Sequence, residues 1–316
     1  MEVLQKLEKD RITALRERDE FFWLDLESPS DEDLDTVGEL LGIHPVAIED
    51  TREFGQRPKL DDYSDHLLLV YYTVREGRNE AEGLYKPVEI HLYISGSFVM
   101  TVRREHCDPL HELHELLQSE DTEAEDYLVY RLLDALTDAY YPVLEQLEIR
   151  IDALEGAVLQ RPNREQLEQI YRAKQEIDEL RRRVIPQRDR FQTGTDLILH
   201  LPGLTRGSRE YLRDISDHLA QIAGELTRQH EDLIGLTQTY FNANQNRLNG
   251  IATRFTVAAT LFFALTFVTG FFGQNFGWLV DNVKSRNDFL VFGVGGLVLP
   301  TILLGIVFYV KRDDWF

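Results

Sequence analysis

Apolar residues fall into three rhythms along this chain. Over residues 21–105, short apolar runs alternate with turn formers, which predicts strands mixed with short helices. Residues 21–26 (FFWLDL) predict a strand. Ser30 offers an N-cap, with Asp33 three residues on, before a helix through Leu41. His44 and Pro45 begin a short helix ending near Asp50. Residues 66–74 predict a strongly apolar strand, and residues 89–102 a hairpin turning at Ser95, Gly96 and Ser97. After Pro109 the spacing turns helical. Leu128, Leu132, Leu136, Tyr140, Leu144 and Leu147 mark one face of residues 123–160, where Pro142 is either a kink or a first turn. Arg161 and Pro162 break this pattern. Residues 164–184 predict a charged helix closed by Pro186, and Pro202 and Gly203 add further breaks.

From Ser208 no proline occurs until Pro300. Tyr211, Ile215, Leu219, Ile222, Leu226, Leu233, Leu236 and Tyr240 keep helical spacing and lead directly into an uncharged apolar segment. The prediction is one helix of roughly 60 residues, about 90 Å long. Gly224, Gly235 and Gly250 are its expected bend points. Residues 255–272 and 289–310 are uncharged runs of about 18 and about 22 residues. A bilayer core needs roughly 20 apolar residues as helix, so both qualify as spans. A buried hairpin of a soluble protein is the alternative, and two such runs are hard to bury in a domain of this size.

Composition sharpens this picture. The net charge of −21 argues against nucleic acid, which is bound by releasing counterions to Lys and Arg. It permits attraction of cations, although solubility alone explains acidity equally well. One cysteine, Cys107, excludes an internal disulfide framework. The first 20 residues are mostly polar or charged and lack a signal-peptide core. Arg247 and Arg254 precede the first span and Lys311 and Arg312 follow the second, against Lys284 and Arg286 between them. That bias weakly places both termini in the cytoplasm.

Asn242, Asn246, Asn249, Thr253, Thr256 and Thr260 step by three and four, so they share a helix face. Polar groups at membrane depth face other helices or water, giving either helix packing or a pore. One stripe encloses a pore only in a ring of subunits. The first span ends in Gly270, Phe271, Phe272, Gly273, Gln274, Asn275 and Phe276. This resembles the CorA family of divalent metal ion (magnesium/cobalt) transporters, whose signature there is Gly-Met-Asn, usually after Tyr. Gly273 and Asn275 match, Gln274 replaces the methionine and Phe272 the tyrosine. The likeness extends to residues 251–276, to 211–218 (YLRDISDH), to Gly42-Ile43-His44-Pro45 with Glu49-Asp50 and Gln56-Arg57-Pro58-Lys59, and to Asp126-Tyr127-Leu128 and Asp134-Ala135-Leu136.

The resemblance implies a homopentamer: an α/β cytoplasmic domain, then a very long helix and two C-terminal transmembrane helices, in the inner membrane. On this reading residues 1–120 are the α/β domain and 121–207 its helical, coiled part. Residues 208–254 are the cytoplasmic stretch of the pore helix, 255–276 the first span and signature, 277–288 the outer loop, 289–310 the second span, and 311–316 a basic-then-acidic tail. The family's pore positions carry over to Asn275, Thr266, Phe263, Ala259, Ala252 and Asn249, beside Gly273 and Gln274. This register differs by one residue from the polar stripe at Thr253 and Thr260 and agrees at Asn249. Methionine is frequent in the family where Ala252 and Phe263 stand. Regulatory Mg²⁺ sites between subunits carry over to Asp50 with Asp214, and to Glu49 with Asp134 as a second pair. A C-cap for Asn275 and plain solvation for the carboxylates are the alternatives from the residues alone. Mg²⁺ is thus expected as transported ion and as regulatory ligand, with no cofactor, no nucleotide and no enzymatic chemistry. Co²⁺ and Ni²⁺ are further ions. Proton-coupled Zn²⁺ transport in the same architecture is the alternative, and a non-conducting membrane-anchored metal sensor a second one.

His106, Cys107, His111 and His114 resemble a metal cluster, but the run HELH is one residue short of HExxH, and a solvated helix is the expected reading. There is no P-loop. The cluster Gly293, Val294, Gly295 and Gly296 in the second span reads as a close-packing surface.

Overall fold

The computed structural model describes residues 1–77, 83–119, 125–201, 208–274 and 277–310. Two compact units emerge, one of residues 1–160 and 164–237, the other of 161–163 and 238–316.

The first unit is built on a six-stranded mixed sheet in the order β1-β2-β6-β5-β4-β3. β1 (Glu2–Leu4), β2 (Phe22–Glu27) and β6 (Phe98–Arg103) run parallel. β5 (Tyr85–Ser95), β4 (His66–Glu76) and β3 (Lys59–Asp62) continue antiparallel. Side chains alternate across this sheet, and both faces are covered. Leu68, Val70, Tyr72, Phe22, Leu24 and Met100 face α1 (Lys9–Glu17), α2 (Asp31–Leu41) and α3 (Pro45–Glu53). Leu67, Leu69, Tyr71, Trp23, Ile90 and Val99 face the opposite way. They pack with α4 (Asp108–Ser119), α5 (Glu125–Asp138), α7 (Arg164–Leu199) and the first turns of α8 (Ser208–Phe272). Burying each large apolar side chain is worth about 1.5–3 kcal/mol, so this sandwich supplies the unit's stability.

Local rules place several ends. Ser30 and Asp33 form the expected capping box on α2, and Gly42 closes that helix at φ 72°. The helical run after residue 123 is two helices, because Pro142 lies in the first turn of α6 (Tyr140–Gln160) rather than inside one rod. The polar first 20 residues hold β1 and α1, whose Ile12 and Leu15 are fully buried; so short a strand and so sparse an apolar pattern were too little signal to announce them.

Pro186 does not close α7, as its position in the sequence suggested; the helix runs on to Leu199. Proline forfeits one backbone hydrogen bond, and tertiary bonds next door offset the loss. Gln187, buried, accepts from Tyr72 N at 2.6 Å and donates to Tyr72 O at 3.1 Å. β3 pairs only as far as Val70, so the Gln187 amide completes the open edge of β4.

α8 is the predicted continuous helix, 65 residues and about 98 Å by its rise. It contributes Leu212 and Ile215 to the core of the first unit and forms the first apolar span in the second. Residues 277–288 are not simply a loop: α9 (Gly277–Asn282) and α10 (Arg286–Asp288) lie there, the latter capped by a Ser285–Asp288 box. The second span opens with a π-helical turn, Phe289–Val294, before α11 (Gly295–Val310). Gly293 makes room for a ring of its own helix, since a Cβ there meets Phe289 at 3.3 Å. Among the described residues, the apolar parts of α8 and of residues 286–307 are the two helices long and apolar enough to cross a membrane.

Candidate functional site

Candidate side chains lie in both units.

In the first unit, α3 carries Glu49 and Asp50. Glu49 is exposed and Asp50 half-buried. Lys59 Nζ donates to Asp50 Oδ2 at 2.5 Å and to Asp61 Oδ2 at 2.7 Å. Burial alone would lower the Lys59 pKa; the two carboxylates more than offset it and hold the ammonium above its ordinary value. The end of α3 is pinned by a buried network that sequence reasoning missed. Glu89 accepts from Gly55 N at 2.6 Å, Gln56 N at 3.0 Å and Tyr72 OH at 2.9 Å. His91, fully buried, bridges Glu89 at 2.8 Å to Thr51 Oγ1 at 2.8 Å. Burial would raise the Glu89 pKa, but these donors win and keep it below the usual carboxylate range. The only signal in the sequence was polar Glu89 and His91 in an otherwise apolar strand. Phe54 sits at φ 44°, beyond the helix end, where those bonds hold it.

Asp134 and Asp214, assigned above to different pairs, stand on neighbouring helices of one chain. With Asp138 and His218 they form a single cluster between α5 and α8. His218 Nδ1 is 3.6 Å from Asp138 Oδ1, and His218 Nε2 is 3.7 Å from Asp214 Oδ1. Donor atoms of Asp134, Asp138 and His218 lie within 4.8 Å of one another. Tyr130 OH donates to Asp214 Oδ2 at 3.4 Å. Burial and then the Asp138 charge push the Asp134 pKa up, and burial pushes the Tyr130 phenol up to about 12. Asp50 and Asp214 belong to helices packed on opposite faces of the sheet, so one chain does not bring them together.

The His106–His114 segment is neither a metal cluster nor simply solvated. His114 is buried, with Nε2 3.2 Å from the buried Asp25, and Asp25 also pairs with Arg103. Burial pushes the Cys107 thiol up to about 12.

In the second unit, Asn249, Ala252, Ala259, Phe263 and Thr266 are all exposed and share one face of α8. Thr253, Val257, Leu261, Ala264 and Val268, on the other side, are half-buried. Thr253 is thus half-buried where Asn249, Thr256 and Thr260 of the same stripe are exposed. Each threonine hydroxyl donates to the carbonyl four residues back: Thr256 to Ala252 at 2.9 Å, Thr260 to Thr256 at 2.8 Å, Thr266 to Phe262 at 2.7 Å. The donors are thus spent inside the helix, and only acceptor lone pairs point outward. Gly273 N bonds Thr269 O at 2.9 Å and Gln274 N bonds Phe271 O at 3.3 Å as the helix ends. A Cβ on Gly273 would meet Thr269 O at 3.1 Å, which suits glycine there. Asn275 lies outside the described residues, as do Pro202, Gly203, Lys311 and Arg312.

A family model described as "CorA-like Mg2+ transporter protein" matches residues 18–312. The chain belongs to the CorA-like Mg²⁺ transporter family. It is a divalent metal-ion transporter of the membrane, not an enzyme. Within the CorA-like proteins it is 28% identical to the cobalt/magnesium transport protein CorA of Thermotoga maritima, over 88% of this chain and 78% of that protein. The zinc transport protein ZntB of Yersinia enterocolitica is 25% identical over 82% of this chain and 77% of its own length. In fold, the chain is similar to the complete structure of the CorA magnesium transporter from Methanocaldococcus jannaschii. The TM-score is 0.76 at 21% identity, covering 93% of this chain and 91% of that one.

Proposed function

We propose that this chain is one subunit of a homopentameric channel for passive Mg²⁺ entry, with Co²⁺ and Ni²⁺ as further ions, closed by Mg²⁺ bound between cytoplasmic domains. The observation that carries it is α8, a single 65-residue helix rooted in the α/β core at Leu212 and Ile215 and ending at the signature beside Gly273. Five copies would line an axis with Asn249, Ala252, Ala259, Phe263 and Thr266. Phe263 is the apolar constriction, able to gate by dewetting. Mg²⁺ sheds water reluctantly, so amide and hydroxyl oxygens that bond its waters suit passage better than a tight carboxylate ring. Asn275, with Gln274, supplies such acceptors at the outer mouth. Two charges moving through 100 mV gain about 4.6 kcal/mol, enough to drive entry without a pump.

Closure is assigned to Asp50 and Glu49 of one subunit facing Asp214 and Asp134 of the next. Their placement on opposite sheet faces supports a bridge made by two chains. Low Mg²⁺ empties the bridges and lets repelling carboxylates part. Both termini then lie in the cytoplasm of a cell whose inner membrane holds the spans. Zn²⁺ with proton coupling is the second reading, favoured by the likeness to ZntB; the uncharged spans offer no carboxylate relay for it.

Flux into liposomes with an internal pH dye separates the readings. Mg²⁺ entry driven by potential, without acidification and lost in Asn275→Ala, is expected. Zn²⁺ entry with acidification would replace the Mg²⁺ channel by the zinc reading, and no flux of any ion would leave a non-conducting sensor.

A further inference from the structure

We propose that the cavity between the end of α3, β5 and α7 binds a small hydroxylated phosphate monoester, held by Arg104 and Arg183 and told apart from sulfate by Glu179.

The first argument is two guanidinium groups without a counter-ion. A cavity of about 260 Å³ opens among Phe54, Tyr72, Lys86, Arg104, Glu179 and Arg183. Arg104 lies over the ring of Phe54, 4.6 Å from its centre, and Arg183 over the ring of Tyr72 at 4.7 Å. Among the described residues neither forms an ion pair, in a chain of net charge −21. Glu179 stands four residues before Arg183, a favoured spacing for a helical ion pair, yet Arg183 sits on the ring instead. Stacking orients the plane of a guanidinium and leaves the N–H groups along its edge for a ligand. That fork matches two oxygens of a phosphate. Arg104 spends one nitrogen on Arg52 O and keeps the others.

The second argument is that the walls are held before a ligand arrives. Phe54, at φ 44°, packs on buried His91 with ring centres 4.6 Å apart. Tyr72 is tied through its hydroxyl to Gln56 O and to Glu89. Side chains already in place lose little freedom on binding.

The carboxylates at the cavity select the ligand. Glu89 is saturated by the donors described above. Glu105 accepts from Arg75 Nε at 2.8 Å and from Lys86 Nζ at 3.2 Å. Burial alone would raise the Glu105 pKa, but Arg75 and Lys86 outweigh it and hold it below the usual carboxylate range. Glu179 remains, with no ion pair among the described residues. It repels an oxyanion that has no proton to give, such as sulfate, and accepts from a hydroxyl beside a phosphate. The volume lies below the roughly 300–1,000 Å³ of sites for drug-sized ligands, which suits a small ester. The cavity adjoins the end of α3, the helix of Glu49 and Asp50, but it uses neither and needs no second chain. It therefore stands or falls apart from the proposed Mg²⁺ closure.

The test is titration calorimetry of the full chain in detergent with EDTA, using glycerol 3-phosphate, inorganic phosphate and sulfate. One glycerol 3-phosphate per chain is expected, bound at least about tenfold tighter than sulfate, with inorganic phosphate between them. Arg104→Met and Arg183→Met should each weaken it about tenfold or more, and the double variant should abolish it. Arg182→Met, an exposed neighbour on α7, should leave it unchanged. Glu179→Gln, whose amide offers a donor, should bring sulfate level with the ester. Thermal melts confirm that each variant is folded, and Arg104→Lys and Arg183→Lys, which keep the charge and lose the fork, serve if the methionine variants are not. No binding of glycerol 3-phosphate, binding that survives the double variant, or an equal loss in Arg182→Met overturns the proposal. Sulfate or inorganic phosphate bound more tightly than the ester by the parent overturns the assignment of the ligand.

Discussion

Lys59 Nζ lies 2.5 Å from Asp50 Oδ2, so the carboxylate proposed to grip Mg²⁺ already has a cation of its own chain against it. Metal arriving between subunits must displace or share that ammonium. On the proposed closing site, Lys59 would therefore tune the Mg²⁺ level at which closure occurs.

Lys59→Met frees Asp50 for the ion. Half-closure should move to lower Mg²⁺, by about two- to fivefold for a half-exposed ion pair worth up to about 1 kcal/mol. Mg²⁺ block of liposome flux reads this directly. An unchanged or higher midpoint would remove Asp50 from the closing site.

Thr266 donates its proton to Phe262 O and turns lone pairs outward. Thr266→Val keeps the shape and removes the acceptor, and should lower Mg²⁺ flux roughly tenfold, for about 1.4 kcal/mol at the barrier. Thr266→Ser should conduct nearly as the parent does. Equal flux in the valine and serine variants would show that this face does not meet the ion's waters.

Burial and Asp138 raise the Asp134 pKa, and the sign of its effect follows. A carboxyl with a raised folded pKa adds stability below its unfolded value of about 3.9, and that stability is lost as pH rises through the folded value. At neutral pH, without metal, ionised Asp134 therefore weighs against the fold. Asp134→Asn should melt higher than the parent at pH 7 in chelator, with the difference vanishing below about pH 4. Divalent metal should raise the parent's melting temperature more than the variant's. A melting curve lower for Asp134→Asn at pH 7 would contradict this.

Gln187 closes the β4 edge through both Tyr72 backbone groups. Gln187→Leu leaves a buried N–H and C=O unpaired, at about 1–3 kcal/mol each. Thermal melting of the full chain should drop by several degrees while the spans stay helical. A drop no larger than for an exposed position such as Arg190 would mean that water replaces the amide.

Much of this protein was legible in its residue pattern. The capping box at Ser30, the hairpin at Ser95–Gly96–Ser97, the two uncharged spans and the unbroken α8 rest on local periodicity, which backbone geometry and desolvation impose wherever the chain lies. Polarity alone does not rank the stripe on α8: Thr253 and Asn249 look alike in the sequence, and the structure leaves Asn249 exposed and Thr253 half-buried. Short β1 and α1 carried too little signal, and Pro186 gave a false stop because the Gln187 contact comes from a strand 115 residues away.

The sequence by itself determined which segments are helical, which are apolar enough for a bilayer, and where the family's signature falls, because each depends on neighbours within a few residues. Only the tertiary structure decided that Asp134, Asp138, Asp214 and His218 share one cluster, that Asp50 answers to Lys59, and that Glu89 and His91 pin the end of α3. Those relations join residues distant in the chain through packing on a shared sheet, and no local spacing encodes them.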